Sequence, residues 1–148
     1  MSLEIIISDA IKDAMRAKDK IALDALRAVK SQILLVKTEA KGADVSAEQE
    51  IAILQRMIKQ RKDSFDQFTA QNRSDLAEVE QAQSTIIEKF LPQQLSTEEL
   101  ESEIKKIISQ TGAESAKDLG KVMGMASKQL AGKSDGKSIS DMAKKLLS

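Results

Sequence analysis

The sequence predicts an all-α fold, with an N-terminal bundle of about four helices and a small C-terminal module of three. Three observations predict it. Apolar residues recur at helical spacing over most of the 148 residues. The aromatics are only Phe65, Phe68 and Phe90, so the core must be Leu, Ile, Val, Met and Ala, which suits helix-on-helix packing. No stretch of any length alternates apolar and polar with the two-residue period of a strand.

The elements follow in order. Leu3, Ile7, Ala10, Ile11 and Ala14 form a first stripe. A second helix starts after Asp19, an N-cap candidate, carries Ala22, Leu26, Val29, Ile33, Val36 and Ala40, and stops at Gly42. Ser46 with Gln49 reads as a capping box. It opens a long third helix with Ile51, Leu54, Ile58, Phe65 and Phe68, which Asn72-Arg73-Ser74 breaks. A fourth helix carries Leu76, Val79, Ile86 and Phe90. Pro92, the only proline, cannot continue a helix and disfavours helical geometry at Leu91. The expected division is therefore residues 1–92 and 93–148, with the joint in Pro92 to Leu95. Beyond it, Ser96 with Glu99 reads as a second capping box before Leu100, Ile104, Ile107 and Ile108, and Gly112 stops that helix. Ser115 with Asp118 caps the next, which holds Leu119, Val122, Met123, Ala126 and Leu130. The last opens near Ser138 and carries Met142, Ala143, Leu146 and Leu147.

Composition narrows the chemistry. Cysteine and histidine are both absent, which excludes disulfides, thiolate metal sites and the commonest general base. No apolar run approaches the roughly 18–20 residues that span a bilayer, and MSLEIIISDAIKDAM lacks the pattern of a secretory signal. A soluble cytoplasmic protein, with no membrane association, is the expectation. Net charge is zero but unevenly spread. Asp63 to Ile104 holds ten acidic and two basic residues, whereas Lys117 to Ser148 holds seven lysines and three aspartates. The basic end could meet a polyanion; a solvated surface of uneven charge is the plain alternative.

Gly120 to Lys137, GKVMGMASKQLAGKSDGK, reads Gly-Lys-Ser twice, at 132–134 and 136–138. A P-loop also needs a glycine five residues before each Gly-Lys, where Ser127 and Ala131 stand, and a preceding strand. Nucleotide hydrolysis is thereby disfavoured. Gly132 suits a helix C-terminus and Gly136 a turn in Ser134-Asp135-Gly136. Gly120 and Gly124, four apart, lie on one helical face and would let another backbone approach, within the protein or from a partner. Lys121, Lys128, Lys133 and Lys137 flank these glycines and are candidate phosphate contacts, with Gly120, Gly124, Gly132 and Gly136 permitting close approach. A secondary basic patch is Arg56, Lys59, Arg61 and Lys62, extendable by Arg27 and Lys30; its plain reading is a solvated face with Lys62 pairing Asp66. The carboxylates Asp63, Asp66, Asp75, Glu78 and Glu80 show no spacing that selects an acid–base pair or a metal site. No catalytic residue, metal or cofactor is expected.

LRAVKSQI, IKQRKDSFDQF, NRSDLAEVE, FLPQQLS and GKVMG…AGKSDGK occur in this order along the chain. In this the chain resembles the YqeY-like family over its full length. Its C-terminal part is also similar to the tail domain, the part that helps hold tRNA, of the glutamine-dependent aspartyl/glutamyl-tRNA amidotransferase. The tail motif falls on Gly120, Lys121, Val122, Met123, Gly132, Asp135 and Gly136. The resemblance implies an all-helical fold and a part in holding tRNA. It also brings a family label, carbon–nitrogen ligase activity with glutamine as amido donor, that belongs to a complete enzyme whose catalytic domains are not in these 148 residues. The expected partners are tRNA and amidotransferase subunits, with no DNA. The alternative is an interaction adaptor that docks a partner helix on the Gly120–Gly124 face without RNA.

Overall fold

A computed structural model describes residues 2–148. It is all-α: helices α1 (Leu3–Arg16), α2 (Lys20–Glu39), α3 (Ala47–Ala70), α4 (Ser74–Glu88), α5 (Thr97–Thr111), α6 (Leu119–Gln129) and α7 (Gly136–Leu147), with a 3₁₀ turn over Ala116–Asp118. The described residues contain no strand. They fall into two compact units, one running to Leu91 and the other from Pro92 to Ser148.

Local chemistry sets the helix starts. Asp19 accepts from the Ala22 N–H at 3.1 Å. Ser46 and Gln49 form a full capping box, and so do Ser115 and Asp118, the latter around the 3₁₀ turn that leads into α6. Ser96 accepts from the Glu99 N–H at 3.1 Å, but Glu99 does not reach back, so only half of the expected box exists. α7 opens at Gly136, earlier than expected, because the Asp135 carboxylate accepts from the Ser138 N–H at 2.8 Å. Ser2 makes no such bond at α1; the Leu3 N–H instead donates to Glu50 of α3 at 2.8 Å.

Four of the stops share one geometry. Lys18, Lys41, Asn72 and Gly112 take left-handed φ between 55° and 69°. Just beyond each, an N–H returns five residues to a helix carbonyl: Asp19 to Ala14, Gly42 to Lys37, Arg73 to Phe68, and Ala113 to Ile108. Gly42 was expected to stop α2, but Lys41 turns first, with Gly42 following at φ 85°.

In the first unit the core comprises Leu3, Ile7, Ala25, Leu26, Val29, Ile33, Ile53, Leu54, Met57, Ile58 and Ile87 among others. α4 is turned about one residue from the expected stripe. Ala77, Ser84 and Ile87 are buried, while Leu76, Ile86 and Phe90 are only half-buried and Val79 is 39% exposed. α4 packs on both α2 and α3, and the small side chains of Ala77 and Ser84 give room for that approach. In the second unit, α5, α6 and α7 bury Leu100, Ile104, Ile107, Val122, Ala126, Leu130, Ile139, Met142, Ala143 and Leu147. Truncating Ile87 to Ala, at 0% exposure, should cost about 2–5 kcal/mol in urea unfolding. Val79→Ala should stay within about 0.5 kcal/mol. The reverse order would contradict the observed rotation of α4.

Candidate polyanion-binding surface

α6 buries one stripe and exposes the other. Val122, Ala126 and Leu130, the last just past the helix, point into the core. Gly120, Lys121, Gly124, Ser127 and Lys128 are exposed. Lys121 and Lys128 are seven residues apart, so they stand on one face about 10 Å apart along the axis. The glycines beside them have no packing role inside the protein: a Cβ on Gly120 or Gly124 would meet nothing within 4 Å. The reading that these glycines admit another backbone of this chain is therefore removed; the exterior remains.

The other glycines differ. Gly132 is buried, has φ 76°, and its carbonyl accepts from the Gln94 amide, so its backbone is engaged within the unit. Gly136 is not in a free turn but is the first residue of α7, and a Cβ there would also meet nothing within 4 Å. Lys137 accordingly sits inside the first turn of α7 and not ahead of it. Lys133 is exposed in the α6–α7 connection, where its carbonyl accepts from the Leu95 N–H at 2.9 Å.

Charge pairing separates these lysines from those of α5. On α5, Lys105 and Lys106 pair with Glu101 at 3.2 Å and Glu103 at 3.3 Å. Among the described residues, none of Lys117, Lys121, Lys128, Lys133, Lys137, Lys144 and Lys145 forms an ion pair within 4 Å. Lys144 repeats on α7 the seven-residue spacing of α6, counted from Lys137. Sequence reasoning left Lys117, Lys144 and Lys145 out of the candidate set, although the spacing of Lys144 was there to be read.

Asp118 holds the entry to α6. Its carboxylate accepts from the Glu114 N–H at 3.0 Å and the Ser115 N–H at 3.4 Å. The Glu114 bond is the main cause that keeps its carboxyl below the usual range, with Ser115 and the charge of Lys121 adding to it.

The side chains of the second basic patch have partners within the first unit. Arg56 donates to Gln32 of α2 at 3.2 Å. Arg61 is half-buried and donates to Gln83 of α4 at 3.1 Å and to the Met57 carbonyl at 3.3 Å. Lys62 lies 3.9 Å from Glu88, not on the expected Asp66, and Lys59 lies 3.8 Å from Asp63. Arg61 stands about 140° round α3 from Arg56, so the four do not share one face. Of the carboxylates, Asp75 accepts a two-pronged bond from Arg73, which holds its carboxyl below the usual range. No group of three metal-ligating side chains converges among the described residues. No helix among them is long and apolar enough to cross a membrane.

The family profile "Yqey-like protein" matches residues 5–147. The chain belongs to the YqeY-like family. Curated relatives carry the name "Altered inheritance of mitochondria protein 41, mitochondrial". The one from Lachancea thermotolerans is 35% identical over 95 residues, 64% of this chain and 51% of the relative. That from Saccharomyces cerevisiae is 33% identical over 100 residues, 66% and 54%. That from Meyerozyma guilliermondii is 34% identical over 127 residues, 79% and 67%. The chain thus spans about half the length of the first two. These names overturn the expectation of a cytoplasmic protein, since the relatives are mitochondrial. Composition gave no view of this, because neither charge nor core chemistry distinguishes the two compartments.

Two outcomes follow. Gly120→Ala and Gly124→Ala should each stabilise α6, by up to about 1 kcal/mol, because the helix gains propensity and nothing is crowded; a loss of stability in thermal unfolding would contradict the open space seen there. For Asp118, a folded value below the ordinary one means its support is complete at neutral pH and is lost as pH falls through the folded value. The protection of the Glu114 and Ser115 amides, taken relative to their intrinsic exchange rates at each pH, should therefore fall in acid, and Asp118→Asn should remove most of that dependence.

Proposed function

We propose that this chain is a tRNA-binding helical protein with no catalytic centre of its own, and that its C-terminal unit makes the contact. The observation that carries the reading is the set of unpaired lysines on α6 and α7 beside exposed, Cβ-free backbone at Gly120 and Gly124. Lysines already held by carboxylates give up an ion pair to bind phosphate; these do not. A helix face without Cβ atoms lets a sugar–phosphate backbone lie close while Lys121 and Lys128 reach phosphates on either side. In this reading the chain is a tail-like module that steadies tRNA for an amidotransferase or a similar complex, and the ligase label stays with the catalytic partner. The four-helix unit before Pro92 acts as a separate scaffold. The relatives' names support a mitochondrial setting.

The runner-up is an adaptor that seats a partner helix on the Gly120–Gly124 face, favoured by the same open Cβ positions. Salt separates the two, because phosphate contacts release counterions and helix packing does not. Filter retention of unfractionated tRNA should show saturable binding that falls with salt, with a log–log slope of about −3 for four lysine contacts. Changing Lys121, Lys128, Lys133 and Lys137 to Glu should abolish it; reversing Arg56, Lys59 and Lys62 should leave most of it. No binding at low salt, or equal loss from both variants, would refute the assignment.

A further inference from the structure

A second feature of the C-terminal unit shares only Lys145 with the unpaired lysines just described. A groove of about 310 Å³ runs between the start of α5 and α7. Leu95, Leu100 and Met142 give it an apolar floor, and Ser96, Thr97, Ser134 and Ser138 line it with hydroxyls. Asp141 and Lys145 complete the lining. They stand one turn apart on α7, the spacing at which an acid and a lysine commonly pair. Here neither makes an ion pair within 4 Å among the described residues. The groove thus presents one carboxylate and one ammonium, both unmatched, beside an apolar surface, and its volume is at the lower end of small-molecule sites.

We propose that this groove binds a free aliphatic α-amino acid. The charges select the class. A simple anion would meet Asp141, and a simple cation would meet Lys145; a zwitterion satisfies both. The ligand's ammonium would lie on Asp141, its carboxylate on Lys145, and its side chain on Leu100 and Met142. A dicarboxylic or basic amino acid would set a charge on the apolar floor and bind less well. The site shares Lys145 with the unpaired lysines of α7 but none of Lys121, Lys128, Lys133 and Lys137, so variants of those four test the RNA reading apart from it.

The test is an amide NMR titration of the full chain with leucine. Saturable shifts confined to residues 95–100 and 134–145 are expected, with a midpoint on the order of millimolar, the strength of a small ligand in an open groove. Asp141→Asn and Lys145→Gln, both at exposed positions, should each weaken binding about tenfold and leave distant resonances in place. Isocaproate, lacking the ammonium, and isoamylamine, lacking the carboxylate, should be weaker to a similar degree. Absence of saturable shifts at about fifty times that midpoint, equal binding by the one-charge analogues, or no effect of either substitution would overturn the proposal.

Discussion

Burial of Val122, Ala126 and Leu130 against α5 and α7 is the constraint on which the exposed lysine surface depends. With those side chains fixed in the core, the 3.6-residue period leaves no choice about the opposite stripe: Gly120, Lys121, Gly124 and Lys128 must face water. The same core fixes α7, whose buried Ile139, Met142 and Ala143 turn Lys137 and Lys144 outward. A module of 57 residues with an aliphatic core has little stability to spare. Two glycines inside an eleven-residue helix therefore stand out, since each weakens the helix by about 1 kcal/mol and neither is offset by an internal contact.

The first unit is tied together differently. Its polar side chains bridge helices: Glu50 of α3 receives the Leu3 N–H, Glu4 of α1 lies 3.0 Å from Lys37 of α2, and Arg61 of α3 reaches Gln83 of α4. The hydrogen bond from Lys37 to Glu4 is the main cause that raises the lysine's pKa. Part of the positive charge there, at Lys37 and Arg61, is engaged between helices. In the second unit, the lysines from Lys117 onward form no ion pair within 4 Å among the described residues.

Much of the fold could be read from the residues, and the failures have physical causes. The starts at Asp19, Ser46 and Ser115 were legible because a cap is a matter of one side chain and the next three residues. The stops at Lys18 and Lys41 were not, since nothing in a lysine announces a left-handed φ. The rotation of α4 escaped because hydropathy favours Val79 over Ser84, whereas packing against two helices favours the smaller side chain. At the candidate site, exposure of Lys121 and Lys128 followed from periodicity. The structural engagement of Gly132 depends on Gln94, and the groove joins residues 95–97 to 134–145; neither is visible from local sequence. Cellular location was not written in composition at all.

The central functional question is whether RNA meets the exposed face of the C-terminal unit. The map of amide chemical-shift changes across the full chain, recorded as tRNA is added at low salt, decides it. Changes concentrated at Gly120 to Lys137 and on the outer face of α7, with α1 to α4 nearly still, are expected. Changes centred on α3 around Arg56 to Lys62, or none anywhere, would contradict that placement.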